Sequence, residues 1–180
     1  MLRLFVGLEI AAPIKAELAK ISSGFPEASW IVPENLHMTL NFIGDVNECV
    51  AEDIDEALRG IEAASFDLTI KGVGYFESRN KVRAVWAGVA AEPDLRHLHA
   101  KVAQALILAG QEPEHRKFRP HVTLARLKRV PVTAVAGYLE AQAELLLPPY
   151  SVDYFTLFRS HLGHAGAAYE ALARYQLNAS

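Results

Sequence analysis

The chain has 180 residues, about half of them apolar, which is enough for one domain with a buried core. Its formal net charge of −3 argues against a protein that holds long duplex nucleic acid by bulk positive charge, although a nucleotide or a short end can bind in a local basic pocket. The single cysteine, Cys49, excludes an internal disulfide framework and favours a reducing cytoplasm. No stretch approaches the ~18 apolar residues of a membrane span.

Eleven elements are predicted from apolar periodicity and turn residues. In chain order they cover 2–10 (strand), 13–23 (helix), 36–43 (strand), 48–64 (helix, with Asn47 as N-cap), 66–76 (strand), 82–89 (strand), 93–109 (helix), 121–127 (strand), 131–145 (helix), 151–162 (strand) and 168–177 (strand). The alanine and glutamate content of the last segment leaves a helix there as an alternative. Two pairs of strands follow each other without a helix between them, so the order predicts a single α+β domain over 1–180 with largely antiparallel sheets.

The most informative feature is a repeated tetrapeptide. His-Met-Thr-Leu at 37–40 returns as His-Val-Thr-Leu at 121–124. Each copy lies on a predicted strand and follows a turn that contains proline. A single His-x-Thr sequence arises often by chance, but two copies in the same setting indicate a shared use.

Alternation along a strand gives each copy one polar face. His37 shares a face with Thr39, and His121 shares one with Thr123, while the residues between them point the other way. If the two halves of the chain pack about a pseudo-twofold axis, the two His-Thr pairs face each other across a cleft. The pattern therefore predicts one central site with two histidines and two threonines.

Two facing histidines suit displacement at phosphorus. The attacking and leaving oxygens lie roughly in line on opposite sides of the phosphorus atom, so one histidine can take a proton from water while the other gives one to the departing oxygen. The ordinary histidine pKa of about 6.5 suits both tasks, and each positioned proton transfer lowers the barrier by roughly 3–5 kcal/mol. The threonine hydroxyls can donate hydrogen bonds to the non-bridging phosphate oxygens.

Arg126 follows the second copy and can bind phosphate through the fork of donors on its guanidinium group. It stands five residues after His121, so strict alternation places it on the opposite face of the strand. A β-bulge, a strong twist or the end of the strand is required to bring it to the cleft.

Structural and metal-binding interpretations compete with the catalytic one. Many strand histidines only make a hydrogen bond, although two matched copies are harder to explain in that way. His37 and His121 could also bind zinc, yet the two predicted strands offer no carboxylate or cysteine at ligand spacing. We therefore expect no metal and no cofactor.

These motifs give the chain a resemblance to the two-histidine phosphoesterase superfamily. Within it the chain resembles the bacterial and archaeal RNA 2′,3′-cyclic phosphodiesterases, also called 2′-5′ RNA ligase-like proteins. The segments 30–44 and 118–126 resemble the two signatures of that family closely. Supporting likeness, which extends over nearly the whole chain, is found at 3–8, 83–89, Ser160, Leu162, Gly166 and Tyr169.

The resemblance implies a bilobal, pseudo-symmetric α+β domain with two largely antiparallel sheets, flanking helices and a central active-site cleft. It also implies metal-independent hydrolysis of a terminal RNA 2′,3′-cyclic phosphate to a 2′-phosphate end, with weak reversible 2′-5′ RNA ligation. By position in the family, His37 is the proton donor to the leaving 3′ oxygen and His121 is the proton acceptor that activates water. Thr39, Thr123 and Arg126 bind the phosphate. The residues alone do not assign the two histidine roles, because the two motifs are nearly equivalent.

Two further functions stay open. On the same fold the chain could be a non-catalytic module that binds nucleotides or RNA ends, although both histidines and both threonines are present. It could also be a metal-dependent hydrolase. The expected partners are RNA ends or nucleotides that carry a 2′,3′-cyclic phosphate, without a membrane, and nothing in the sequence requires more than a monomer.

Several residues outside the motifs have alternative uses. Phe42 could stack on a nucleobase, but packing in the core is the interpretation that we favour. His97 and His99 lie on a predicted amphipathic helix and are expected at the surface. His161 and His164 are expected in an exposed turn, with binding of the substrate end as the alternative. Basic residues near the second motif either contact RNA backbone or face solvent: Arg116, Lys117, Arg119, Arg126, Lys128 and Arg129.

Overall fold

The computed structural model describes residues 1–90, 92–112, 114–163 and 166–179. Within these ranges the chain forms, in order, β1 (Leu2–Glu9), α1 (Ala12–Lys20), β2 (Ala28–Trp30), β3 (His37–Val46), α2 (Glu48–Arg59), β4 (Phe66–Leu68), β5 (Ile70–Ser78), β6 (Lys81–Val89), α3 (Pro93–Leu108), β7 (His121–Pro131), α4 (Val132–Ala141), β8 (Tyr150–Val152), β9 (Tyr154–Gly163) and β10 (Gly166–Gln176). A short 3₁₀-helix, Pro33–Asn35, leads into β3.

The strands form one eight-stranded sheet and one two-stranded sheet. The large sheet has the order β10-β9-β1-β3-β7-β6-β5, with β2 paired to β7, and the small sheet pairs β4 with β8. All pairings between these strands are antiparallel, which confirms the predicted α+β fold. The two halves of the large sheet are joined where β3 and β7 pair, through Met38 and Val122.

Apolar residues on one face of the large sheet hold the helices. The larger core contains fully buried side chains from β1, β3, α2 and α3, among them Leu4, Met38, Ile54 and Leu98. A smaller core between α4 and the strands β6 and β7 includes Val135. Residues that alternate with the buried ones along β3 and β7 remain partly exposed, so the other face of the central strands can hold a site.

The predicted elements differ from the structure mainly at their ends. Asn47 caps α2 as predicted, since its Oδ1 accepts a hydrogen bond from the Val50 amide at 2.9 Å. The expected end of a strand at Gly44 is wrong, because β3 continues to Val46 through a glycine with φ of +100° at an irregularity of the pairing with β1. The segments predicted as single strands over 66–76 and 151–162 each divide into two strands, β4 and β5 in the first case and β8 and β9 in the second.

The last segment of the chain is a strand. β10 pairs with β9 from Gly166 to Gln176, which excludes the alternative helix over 168–177. Tertiary pairing overrides the helix propensity of its alanines, because a strand here covers the edge of β9. The hairpin also brings Tyr169 towards the motif histidine of β3.

Candidate functional site

The two copies of the repeated tetrapeptide meet at the centre of the large sheet. The residues through which β3 and β7 pair, Met38 and Val122, are the middle residues of the two His-x-Thr sequences, and both are fully buried. The residues on either side are partly exposed on the opposite face: His37, Thr39, His121 and Thr123. Because the two strands run in opposite directions, each histidine lies on the side of the other copy's threonine. The fold therefore brings the four predicted side chains to one point.

The backbone orients both histidines in the same way. Nδ1 of His37 lies 2.7 Å from the carbonyl oxygen of Asn35, and Nδ1 of His121 lies 2.6 Å from that of Arg119. A carbonyl oxygen only accepts a hydrogen bond, so the geometry assigns the ring hydrogen to Nδ1 in each case. Nε2 of each neutral ring therefore carries a lone pair and can accept a proton, and the protonated ring can then give that proton up.

Aromatic rings from other strands of the large sheet pack against each histidine. The His37 ring lies 4.9 Å from the Phe5 ring and 4.6 Å from the Tyr169 ring, measured between centroids. The His121 ring meets the Phe76 ring edge-on at 4.8 Å. These contacts limit the rotation of both imidazoles and remove part of their surface from water.

The surroundings of the two histidines favour the neutral forms. Burial lowers the pKa of His37 to about 4, and the positive charges of Arg126 and Lys15 add to this effect, while the hydrogen bond to the Asn35 carbonyl opposes it. Burial also lowers the pKa of His121, while the hydrogen bond to the Arg119 carbonyl opposes the change. Both rings are therefore mostly neutral at pH 7 in the free protein.

A β-bulge in β7 turns Arg126 to the site. The pairing of β7 with β6 slips between Thr123 and Ala125, where Leu124 has no counterpart. Leu124 and Ala125 are consecutive and both fully buried, so the alternation of faces changes phase and the exposed Arg126 returns to the face of Thr123. A bulge is one of the three features that could bring Arg126 to the cleft despite the alternation of the strand. The charge of Arg126 acts on His37.

β3 contains a bulge at the corresponding position. Its pairing with β1 slips at Leu40, and both Leu40 and Asn41 are buried. The residue that follows, Phe42, therefore takes in the first half the place that Arg126 has in the second. Phe42 is 41% exposed, so the favoured assignment of this ring to the core is wrong. The guanidinium of Arg3 lies over the ring at 5.4 Å from its centroid.

A cavity of about 510 Å³ opens beside His121 and Thr39. Aromatic and basic side chains line it: Phe42, Phe76, Phe118, Arg116, Lys117 and Arg119. Rings and cations together suit a nucleobase and the phosphates near it. A larger cavity of about 830 Å³ lies between α2 and α3 and contains none of the predicted site residues. We take the smaller cavity as the candidate binding site because it touches both motifs.

The histidines outside the motifs differ in their surroundings. His97 is exposed, as expected, but the expected surface position of His99 is wrong: its Nδ1 lies 3.1 Å from the Leu40 carbonyl oxygen, and its ring stacks on that of Phe118. The apolar stripe of α3 indicates this partly buried position, because His99 follows the buried Leu95 by four residues and so lies on the same face of the helix.

The last hairpin adds an ion pair. His161 is exposed, but it lies on β9 and not in the expected turn, and its Nε2 lies 2.7 Å from the carboxylate of Glu170 on β10. His164 lies outside the described residues. Among the residues that the structure describes, no three His, Cys, Asp or Glu side chains are grouped so that they could hold a metal ion. None of the described helices has the length and apolar character needed to cross a membrane.

Comparison with known proteins gives a consistent assignment. A family model described as the 2′-5′ RNA ligase superfamily matches residues 10–164. The chain is 35% identical over 149 residues to an RNA 2′,3′-cyclic phosphodiesterase of Aeropyrum pernix. The aligned region covers 82% of this chain and 84% of that protein. It is 31% identical to an RNA 2′,3′-cyclic phosphodiesterase of Thermotoga maritima, over 97% of this chain and 95% of the relative.

Solved structures show the same likeness. The apo form of Escherichia coli LigT matches with a TM-score of 0.78 at 27% identity, over 98% of each chain. LigT complexed with 3′-AMP matches with a TM-score of 0.78 at 26% identity, again over 98% of each chain.

Proposed function

The chain belongs to the 2′-5′ RNA ligase superfamily, and from this membership and its paired motifs we propose that it hydrolyses a terminal RNA 2′,3′-cyclic phosphate to a 2′-phosphate end. Weak reversible 2′-5′ ligation is the same chemistry with an RNA hydroxyl in place of water. The observation that carries the proposal is the pairing of Met38 with Val122, which supports a site shared by both His-x-Thr sequences. Two relatives that are RNA 2′,3′-cyclic phosphodiesterases support the proposed substrate.

In the proposed reaction His121 is the proton acceptor and His37 is the proton donor. Nε2 of His121 takes a proton from water while the water oxygen forms a bond to phosphorus. The bond from phosphorus to the 3′ oxygen breaks, and Nε2 of His37 gives its proton to that oxygen. One water is consumed, and the phosphate stays on the 2′ oxygen.

The donor role requires a proton on Nε2 of His37 before the bond breaks. Burial and nearby positive charges keep this ring neutral in the free protein, with a pKa of about 4. A bound phosphate offsets the charges of Arg126 and Lys15, so substrate binding itself favours the protonated ring. The protonated form of His37 is thus produced in the substrate complex, in which the reaction uses it.

The remaining motif residues are proposed to hold the phosphate. Thr39 and Thr123 donate hydrogen bonds to the non-bridging oxygens, whose charge grows in the transition state. Arg126 contributes paired N–H donors, supported by the bulge that returns it to the face of Thr123. Electrostatic stabilisation by these three groups needs no metal ion.

We propose that the terminal nucleoside of an RNA end occupies the cavity beside His121. The exposed Phe42 ring offers a stacking surface for the base, supported from one side by the Arg3 guanidinium. Lys117 lines the same cavity and offers positive charge to the phosphates that precede the terminal nucleotide, whereas Arg116 beside it is paired with Glu114 at 2.9 Å. The net charge of −3 on the whole chain makes such a local cluster the expected site of RNA contact.

We further propose that residues 1–180 form one domain with two pseudo-repeated lobes that acts as a monomer in the cytoplasm. The matching bulges after both motifs support the pseudo-repeat. The single Cys49 is consistent with a reducing compartment.

The test of the proposed function uses a short RNA that ends in a 2′,3′-cyclic phosphate, incubated with the protein in excess chelator. The position of the product phosphate is then identified, and the same RNA with a 3′-phosphate end serves as the control. Conversion to a 2′-phosphate end is the expected result. A 3′-phosphate product would reverse the substrate orientation, binding without turnover would favour a non-catalytic module, and activity lost with chelator would favour a metal-dependent hydrolase.

A further inference from the structure

His99 of α3 contacts both halves of the candidate site. Its Nδ1 lies 3.1 Å from the carbonyl oxygen of Leu40, next to the first motif threonine. Its ring stacks on Phe118, three residues before the second motif histidine, with centroids 3.9 Å apart and planes 6° from parallel. His99 also lines the cavity beside His121. A single side chain thus links the two segments from which the motifs are built.

The contact with Leu40 supports the bulge of β3. Leu40 has no counterpart in the register with β1, and the pairing of β3 with β7 is at Met38. The hydrogen bond from His99 fixes the backbone directly after Thr39 and two residues before Phe42. The bulge sets the direction of Phe42, and Thr39 lies directly before it, so the His99 contact bears on phosphate and base binding together.

The contact with Phe118 supports the segment that orients His121. Arg119 follows Phe118, and its carbonyl oxygen accepts the 2.6 Å hydrogen bond from Nδ1 of His121. Residues 117–120 form no helix or strand, so side-chain packing has a large share in fixing them. A flat ring stack on Phe118 holds the acceptor for His121 in place from the side of α3.

We propose that His99 is a positioning residue for the cyclic phosphodiester hydrolysis, which holds Thr39 and His121 in register with each other. The inference rests on the proposed function of the site. Its ring is neutral at pH 7 because burial lowers the pKa, while Arg96 lowers it further and Glu114 raises it. A neutral ring with hydrogen on Nδ1 is the form that donates to the Leu40 carbonyl.

Two variants separate the two contacts. His99→Asn keeps an N–H donor near the position of Nδ1 but removes the ring stack, and His99→Phe keeps a ring but removes the donor. Each is expected to lower kcat by about 10- to 100-fold per folded molecule, since small displacements of catalytic groups have effects of this size. His97→Asn and His97→Phe are the matched controls, because His97 is exposed on the same helix.

A titration by NMR distinguishes positioning from loss of stability. The hydrogen bond to the Arg119 carbonyl raises the pKa of His121, so a loosened Phe118 segment lowers it. We expect His99→Asn to lower the pKa of His121, and His99→Phe to leave it unchanged while kcat still falls. A variant that is only less stable remains folded well below its thermal midpoint. There, neither its kcat nor the pKa of His121 is expected to change.

The outcomes separate this inference from the proposed function. If wild type hydrolyses the RNA end and both His99 variants stay within twofold of its kcat, the positioning role is refuted and the function stands. If wild type does not turn over, the function is refuted, and the NMR titration still decides whether His99 orients His121. Should His99→Asn fail to fold, kcat of His99→Phe against His97→Phe decides the inference alone.

Discussion

Phosphate binding is expected to raise the pKa of His37, because positive charges are part of what lowers it in the free protein. Burial and these charges bring the pKa to about 4, against about 6.5 for an ordinary histidine. At pH 7, three pH units above that value, about one molecule in a thousand carries the proton and placing it there costs about 4 kcal/mol. The proposed proton donor is therefore almost absent until substrate binds.

The size of the expected change follows from the neighbours of His37. A phosphate held by Arg126 offsets the guanidinium charge and attracts the imidazolium directly. An opposite charge within about 4–6 Å moves a pKa by about 1–3, so we expect a rise of at least one pH unit in the phosphate complex. In the free protein, Arg126→Gln should raise the pKa of His37 by less, because burial is the larger cause and remains.

NMR of the ring Cε1–H signals measures these values in the free protein and with saturating inorganic phosphate or a nucleoside 2′-phosphate. His37→Asn and His121→Asn assign the two signals, and the exposed His97 reports changes unrelated to the site. A rise for His37 alone supports it as the donor. A rise for His121 instead exchanges the two roles, and a free His37 that titrates near 6.5 regardless of phosphate refutes the argument from burial and charge.

Three further predictions concern turnover and binding. His37→Ala and His121→Ala should each lower kcat by about 10²–10⁴-fold, with a thermal midpoint near that of wild type by circular dichroism; near-normal turnover in either variant would exclude the two-histidine mechanism. Phe42→Ala should raise KM for an RNA end by roughly 5- to 150-fold while Phe42→Trp does not, because base stacking contributes about 1–3 kcal/mol; equal KM values would place the base elsewhere. Lys117→Gln should reduce the slope of log Kd against log salt concentration by about 0.7 for single-stranded RNA, and an unchanged slope would remove Lys117 from the RNA contact.

The sequence predicted the fold well because its signals are local. Apolar alternation marks strands, and adjacent strands without a helix between them already require antiparallel pairing. Helix ends are predicted less accurately. Helix α2 ends at Arg59, where Gly60 is the C-cap, and not at residue 64. The prediction extends too far because the apolar Ile61 and Ala63 continue the helical spacing although they are not helical. The pairing of Met38 with Val122 depends on both halves at once, so no local signal contains it.

The site was predictable as far as simple alternation holds. It places His37 with Thr39, and the repeat gives the second pair. Beyond each threonine a bulge shifts the phase, and a bulge is defined by the partner strand. For this reason alternation alone predicts a core position for Phe42, and it places Arg126 on the face opposite His121, from which only a bulge, a twist or the strand end can return it.

The two bulges also explain how a nearly symmetric site can carry out an asymmetric reaction. Both histidines donate from Nδ1 to a carbonyl two residues earlier, so hydrogen bonding does not distinguish them. The positions that the bulges expose do differ, since one holds the cation Arg126 and the other the ring of Phe42. Arg126 lowers the pKa of His37 in the free protein, and we expect a bound phosphate to offset that effect. Because the charge of Arg126 acts on His37, we expect phosphate binding to change the proton affinity of His37 and so to distinguish two histidines that hydrogen bonding leaves alike.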